Sequence, residues 1–207
     1  MIKVKICGLQ TMADAEAVNR TMPDFAGFIF VQGRKRYIEP GEAERIRRHL
    51  MPGIRSIGVF LNAPIEMILS VLAAVNLDGI QLHGEESNAY IRELKARIAV
   101  RFPGAEYLII KAFRIAARED LVPARTSEAD LILLDSGAGS GQTFNWTLIR
   151  DLDRPFLLAG GLTPENVAPA IRKVRPYGVD VSSGVETGGR KDPEKIRHFM
   201  INARGAL

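Results

Sequence analysis

The sequence predicts an α/β protein folded as a (β/α)8 TIM barrel, a single domain over residues 1–207, and three observations predict it. Eight short apolar, β-rich runs recur, starting about every 23–29 residues, which is the length of one βα unit. Helical patterns lie between them. The runs are apolar without clean alternation, as suits a parallel sheet whose outer face is covered. A doubly wound parallel sheet is the alternative arrangement of the same units. No linker-like shift in composition divides the chain, and 207 residues sit near the lower size limit of the barrel fold.

The first strand spans 2–6, ends at Cys7-Gly8, and is followed by a helix over 12–20. Strands at 25–31, 54–60 and 79–82 lead into helices over 41–49, 65–75 and 88–98. The fifth strand, 107–113, precedes a weak helical pattern near 116–125, and the sixth, 130–134, precedes one at 146–150. Strands at 155–159 and 178–181 precede helices over 164–174 and 193–203. Thr163-Pro164-Glu165 and Asp192-Pro193-Glu194 each offer a cap residue, a proline at the first helical position and an acid in the positive first turn. Pro169 should kink or shorten the seventh helix.

Composition bounds the function. With 46% apolar and 25% charged residues the chain reads as an ordinary globular protein. No apolar run approaches the roughly 20 residues of a membrane helix, and the charged, alternating start Met1-Ile2-Lys3-Val4-Lys5-Ile6 lacks a signal-peptide core. A cytoplasmic protein without a membrane partner is therefore expected. The net charge of +4 and pI near 9.4 come mainly from arginines dispersed on helix-like stretches such as Glu44-Arg45-Ile46-Arg47-Arg48. With no basic arm and no aromatic RNA-binding signature, no nucleic-acid partner is expected.

In such a barrel the chemistry lies in the loops after the strands, and unusual residues collect there. Cys7 is the only cysteine, which rules out an intrachain disulfide and leaves packing or chemistry as its role. Gly8 beside it lets backbone or ligand come close. A modest depression of its pKa would supply thiolate at neutral pH. Asp135 ends the apolar strand Leu131-Ile132-Leu133-Leu134, where partial desolvation would make it a proton donor, though a cap or salt bridge is an equal reading. Arg36 could fork two hydrogen bonds to a carboxylate or simply be solvated. His83 reads as a loop histidine with Gly84 and Glu85 as local partners. Gly160-Gly161 and Ser183-Gly184, on adjacent strands seven and eight, could ring an anion with backbone N–H groups, which points to a phosphorylated small-molecule ligand.

Taken together these residues resemble the phosphoribosylanthranilate isomerases, barrel enzymes of the tryptophan pathway. The resemblance rests on Lys5-Ile6-Cys7-Gly8-Leu9, Gly27-Phe28-Ile29-Phe30, Lys35-Arg36-Tyr37, Gly58-Val59-Phe60 and Gln81-Leu82-His83-Gly84-Glu85. It continues through Leu133-Leu134-Asp135-Ser136, Leu158-Ala159-Gly160-Gly161-Leu162 with Pro164-Glu165-Asn166-Val167, and Gly178-Val179-Asp180-Val181-Ser182-Ser183-Gly184-Val185-Glu186, closing on Gly189-Arg190-Lys191-Asp192.

The resemblance implies an Amadori rearrangement of N-(5-phosphoribosyl)anthranilate to 1-(2-carboxyphenylamino)-1-deoxyribulose 5-phosphate. It implies Asp135 as general acid, Cys7 as general base, Arg36 on the anthranilate carboxylate and His83 among the substrate contacts. Gly160, Gly161, Ser183 and Gly184 become the phosphate cradle. No metal or organic cofactor is expected, because the substrate's own nitrogen serves as electron sink, and the protein is expected as monomer or homodimer. Arg34 replaces the family's common serine, Phe144-Asn145-Trp146 its frequent Phe-Asp-Trp, and the loop at 136–143 is longer than its usual Gly-Gly-Thr-Gly. The histidine-pathway isomerase of similar chemistry uses aspartate at the strand-one position and resembles two fused half-barrels. Cys7 and the lack of a half-to-half repeat argue against it. A phosphate-binding barrel without catalysis is the other alternative, which the presence of both Cys7 and Asp135 disfavours.

Overall fold

The computed structural model describes residues 1–135, 149 and 152–206. Eight parallel strands close a barrel in chain order: β1 (Lys3–Cys7), β2 (Phe25–Ile29), β3 (Arg55–Phe60), β4 (Gly79–Leu82), β5 (Leu108–Arg114), β6 (Leu131–Asp135), β7 (Phe156–Ala159) and β8 (Gly178–Val181). β8 pairs back onto β1, with Lys5 opposite Asp180. That closure excludes the doubly wound sheet.

Helices α1 (Met12–Thr21), α2 (Pro40–Arg47), α3 (Ile65–Ala74), α4 (Asn88–Arg101), α5 (Leu121–Arg125), α6 (Val167–Val174) and α7 (Pro193–Arg204) follow in chain order. None is long and apolar enough to cross a membrane. Two apolar layers explain why the strands do not alternate. Val4, Ile6, Phe28, Ile80 and Val179 pack in the larger core with helix residues such as Val18, Ile68 and Phe199. A second cluster includes Phe25, Ile57, Ile110, Leu131, Leu133 and Leu157, the alternate strand positions that fill the barrel interior.

Local chemistry sets the helix ends. Asp192 Oδ1 accepts the N–H groups of Glu194 and Lys195, so α7 starts where its cap signal predicts. α6 differs from expectation. It starts at Val167 rather than 164, and Thr163 is not its cap: Thr163 N–H donates instead to Asn166 Oδ1, which holds 163–166 as a turn. Pro169 thereby falls in the first helical turn, where its missing N–H would have had no intrahelical partner. The outcome is the shortening that Pro169 predicts.

β2 ends at Ile29, two residues early, and α4 runs three residues longer than expected. The expected helix at 146–150 and the loop at 136–143 lie outside the described residues, apart from Ile149. After β8 the chain adds a 3-10 turn (Ser183–Val185) and a hairpin, β9 (Glu186–Thr187) with β10 (Arg190–Lys191), that sequence patterning does not predict. Its two-residue connection, Gly188-Gly189, has φ of 60° and 80°, a conformation glycine adopts without penalty.

Candidate active site

A cavity of about 660 Å³ opens at the C-terminal mouth of the barrel, and all eight residues singled out from sequence line it. Cys7, Arg36, His83, Asp135, Gly160, Gly161, Ser183 and Gly184 thus meet in one place. Gln81, Asp180 and Ser182, from strand ends, join them.

Cys7 closes β1, almost wholly buried. Its sulfur abuts β2 at Gly27, where an added Cβ would lie only 2.7 Å from Sγ. The thiol pKa departs from the sequence expectation. Burial pushes it up, the Lys5 ammonium pulls it back, Asp180 pushes it up again, and the net shift is upward rather than a depression. Ser182 Oγ donates to the Cys7 carbonyl at 3.0 Å, tying the ends of β1 and β8 together.

Arg36 reaches the cavity from the loop after β2. It is not merely solvated: Nε donates to Glu186 Oε1 at 2.6 Å and Nη2 to Glu186 Oε2 at 2.7 Å. Its stem crosses Gly8, where a Cβ would stand 2.6 Å from Arg36 Cδ. Gly8 has φ of 84° as well, so both space and backbone demand glycine there. Lys191 donates to the same Glu186 Oε1 at 2.7 Å. Burial alone would raise the Glu186 carboxyl, but Arg36 and Lys191 overcome it and hold it at about 2.

His83 does not take its expected partners. Gly84 N–H donates to Glu86 Oε2 at 2.9 Å within its own loop, and Glu85 N–H donates to Asn62 Oδ1 at 2.7 Å in the loop after β3, so both are committed elsewhere. His83 Nδ1 instead lies 2.9 Å from Gln81 Nε2, while Nε2 faces Asp135 Oδ2 at 3.5 Å. With the Gln81 amide as donor, Nδ1 accepts and the ring proton sits on Nε2, towards Asp135. Gln81 Oε1 is buried without a hydrogen-bond partner among the described residues.

The two glycine turns lie backbone against backbone. A Cβ on Gly184 would stand 1.8 Å from the Leu162 carbonyl oxygen. Gly160 and Gly161 have φ of 90° and 63°, and Asn166 Nδ2 donates to the Gly161 carbonyl at 2.9 Å. Among the described residues no group of three or more His, Cys, Asp or Glu side chains is arranged to hold a metal ion.

Sequence patterning misses Lys5, Gln81, Asp180, Glu186 and Lys191. The one available signal was register: Lys5 and Gln81 each stand two residues before a candidate site residue and so share its face of the strand.

The chain matches the sequence model of the family described as N-(5'phosphoribosyl)anthranilate (PRA) isomerase over residues 4–202. It is 43% identical over 213 residues to the N-(5'-phosphoribosyl)anthranilate isomerase of Thermotoga maritima, covering 99% of this chain and 100% of that one. With the enzyme of the same name from Acetivibrio thermocellus it shares 41% identity over 214 residues, covering 100% and 97%. Two crystal structures of phosphoribosyl anthranilate isomerase superpose closely, each at 42% identity over 99% of this chain and 100% of the other. One, from Thermotoga maritima, gives a TM-score of 0.88. The other, in complex with reduced 1-(o-carboxyphenylamino)-1-deoxyribulose 5-phosphate, gives 0.86.

Proposed function

The chain belongs to the family of N-(5'-phosphoribosyl)anthranilate isomerases, enzymes of tryptophan biosynthesis, and on that premise we propose that it isomerises its substrate with Asp135 as general acid and Cys7 as general base. The observation that carries this reading is that the two side chains, from the ends of β6 and β1, open into one cavity bounded by Arg36 and by the two glycine turns. The ligand bound to the relative of 42% identity bears a carboxylate and a phosphate. Arg36 suits the first and the backbone of Gly160, Gly161, Ser183 and Gly184 the second.

In the proposed sequence Asp135 gives a proton to the ribose ring oxygen. The C1–O bond breaks, and the nitrogen lone pair forms the C1=N iminium. Cys7, as thiolate, then takes the C2 proton. The C2–H electrons become the C1=C2 bond of an enolamine, the iminium nitrogen regains its lone pair, and tautomerisation delivers the C2 ketone. His83 supports the first step, because an Nε2–H facing Asp135 stabilises the carboxylate that proton donation leaves behind.

Loss of phosphoribosylanthranilate fluorescence with purified protein tests the reading. Cys7→Ser should retain ligand binding and lose about 10²–10⁴-fold in turnover, since an alcohol is too weak an acid to serve as base near neutral pH. Asp135→Asn should stall before ring opening, whereas the Cys7 variant still opens the ring. Near-parental turnover in Cys7→Ser would make the thiol a packing group and sink the assignment.

A further inference from the structure

Beneath the thiol lies a buried charged pair. Lys5 is 0% exposed, and its Nζ meets Asp180 Oδ1 at 3.0 Å across the seam where β8 closes onto β1. Lys5 stands two residues before Cys7, so both face the barrel interior. A Cβ built on Gly27 would lie 2.7 Å from Cys7 Sγ and 3.1 Å from Lys5 Nζ, which sets sulfur and ammonium against the same patch of β2 backbone. The ammonium charge also acts on the thiol and favours its thiolate form.

Burying an ammonium costs several kcal/mol even with a partner, and an apolar residue of similar length would fill this strand position without that cost. Stability alone is therefore a poor reason for a lysine here. Three other charged groups act on the thiol: Lys191 on β10, Arg36 in the loop after β2, and Asp180 on β8. Lys191 donates to the Ser182 carbonyl and to Glu186, and Arg36 donates to Glu186. Asp180 is an anion and opposes thiolate formation. Lys5 differs from all three, because its one carboxylate partner leaves further N–H groups of the ammonium for the sulfur.

We propose that Lys5 is a positioning residue for the isomerisation, its ammonium held by Asp180 so that it donates to Cys7 Sγ and stabilises the thiolate that takes the C2 proton. This deepens the assignment of Cys7 as base and rests on it. It also answers part of the cost of burying that thiol: some of what desolvation takes from the thiolate, an adjacent fixed cation returns.

The chain holds a single cysteine, so ultraviolet thiolate absorbance and the pH dependence of alkylation by iodoacetamide both read Cys7 alone. In Lys5→Met the thiol should titrate at least about one pH unit higher, giving roughly tenfold less thiolate at a given pH. The kcat/KM profile should move to higher pH by the same interval. Lys5→Met leaves Asp180 buried without its cation, so Lys5→Met/Asp180→Asn serves if the single variant does not fold. There the titration should still rise, by less, since an opposing anion has gone too. A folded variant with unchanged thiol titration, or one with a shifted titration but parental kcat/KM, overturns the role of Lys5. The reading of Cys7 fails separately, if Cys7→Ser keeps its turnover.

Discussion

Glu186 grips Arg36 along one edge of the guanidinium, taking Nε at 2.6 Å and Nη2 at 2.7 Å. The carboxylate belongs to the β9–β10 hairpin after the last barrel strand and the arginine to the loop after the second. The pair therefore locks two otherwise separate rims of the cavity together, and the Nη1 amine is left outside the pair. If that amine holds the substrate carboxylate, Arg36→Met should raise KM about 10- to 150-fold, from a charge-assisted contact of roughly 1.5–3 kcal/mol. kcat should change less if the contact is equally strong before and during reaction. Glu186→Gln should raise KM by less, and its effect should vanish when added to Arg36→Met. Steady-state kinetics of the four proteins closes the cycle.

Glu186 also predicts an acid response. Its carboxyl is held at about 2 against an ordinary 4.5, so its ion pairs stabilise the folded state fully above pH 4.5. That contribution is lost as pH falls from 4.5 towards 2, where the folded-state group at last takes up its proton. Urea midpoints measured across this window should fall less steeply for Glu186→Gln than for the parent. Parallel curves would mean that the Arg36 and Lys191 contacts contribute nothing net.

His83 should carry its proton on Nε2 in the free enzyme, because the Gln81 amide occupies Nδ1. Nitrogen-15 NMR of the imidazoles reads this directly, and the His83→Asn spectrum assigns the signal among the three histidines. Gln81→Leu should let the ring change tautomer and lower kcat by up to about 100-fold by turning the Nε2–H away from Asp135. A parental tautomer in Gln81→Leu would show that Asp135 alone orients the ring.

Gly184→Ala tests the cradle. The new methyl would collide with the Leu162 carbonyl, a backbone atom that cannot swing aside, so the turns after β7 and β8 must separate. Affinity for a phosphorylated product analogue should drop at least tenfold, with a stability loss of about 1–3 kcal/mol. Gly41→Ala is the control: nothing lies within 4 Å of its added methyl, and in α2 it should stabilise by roughly 0.5–1 kcal/mol. Calorimetric titration and thermal melts of both variants separate lost contact from lost fold.

Much of this protein is written in local pattern. Eight apolar runs at βα spacing specify the strands, and covered sheet faces explain their lack of alternation. Cys7 and Asp135 are legible as site residues because each ends a strand, and the paired glycines because few other residues tolerate such turns. Lys3 and Lys5 mark where legibility stops. They are the same residue, two apart on the same face of β1, yet Lys3 meets Asp24 in a partly exposed pair while Lys5 is fully enclosed with Asp180. Only depth in the closed barrel distinguishes them. Lys5 and Asp180 are 175 residues apart, and Arg36 and Glu186 are 150 apart. Local periodicity dictates which way a side chain faces, because that depends on backbone geometry within a few residues. Which charge it finds there depends on the closure of β8 onto β1, a property of the whole sheet, and so the electrostatics around the thiol and the clamp on Arg36 were decided by the tertiary structure alone.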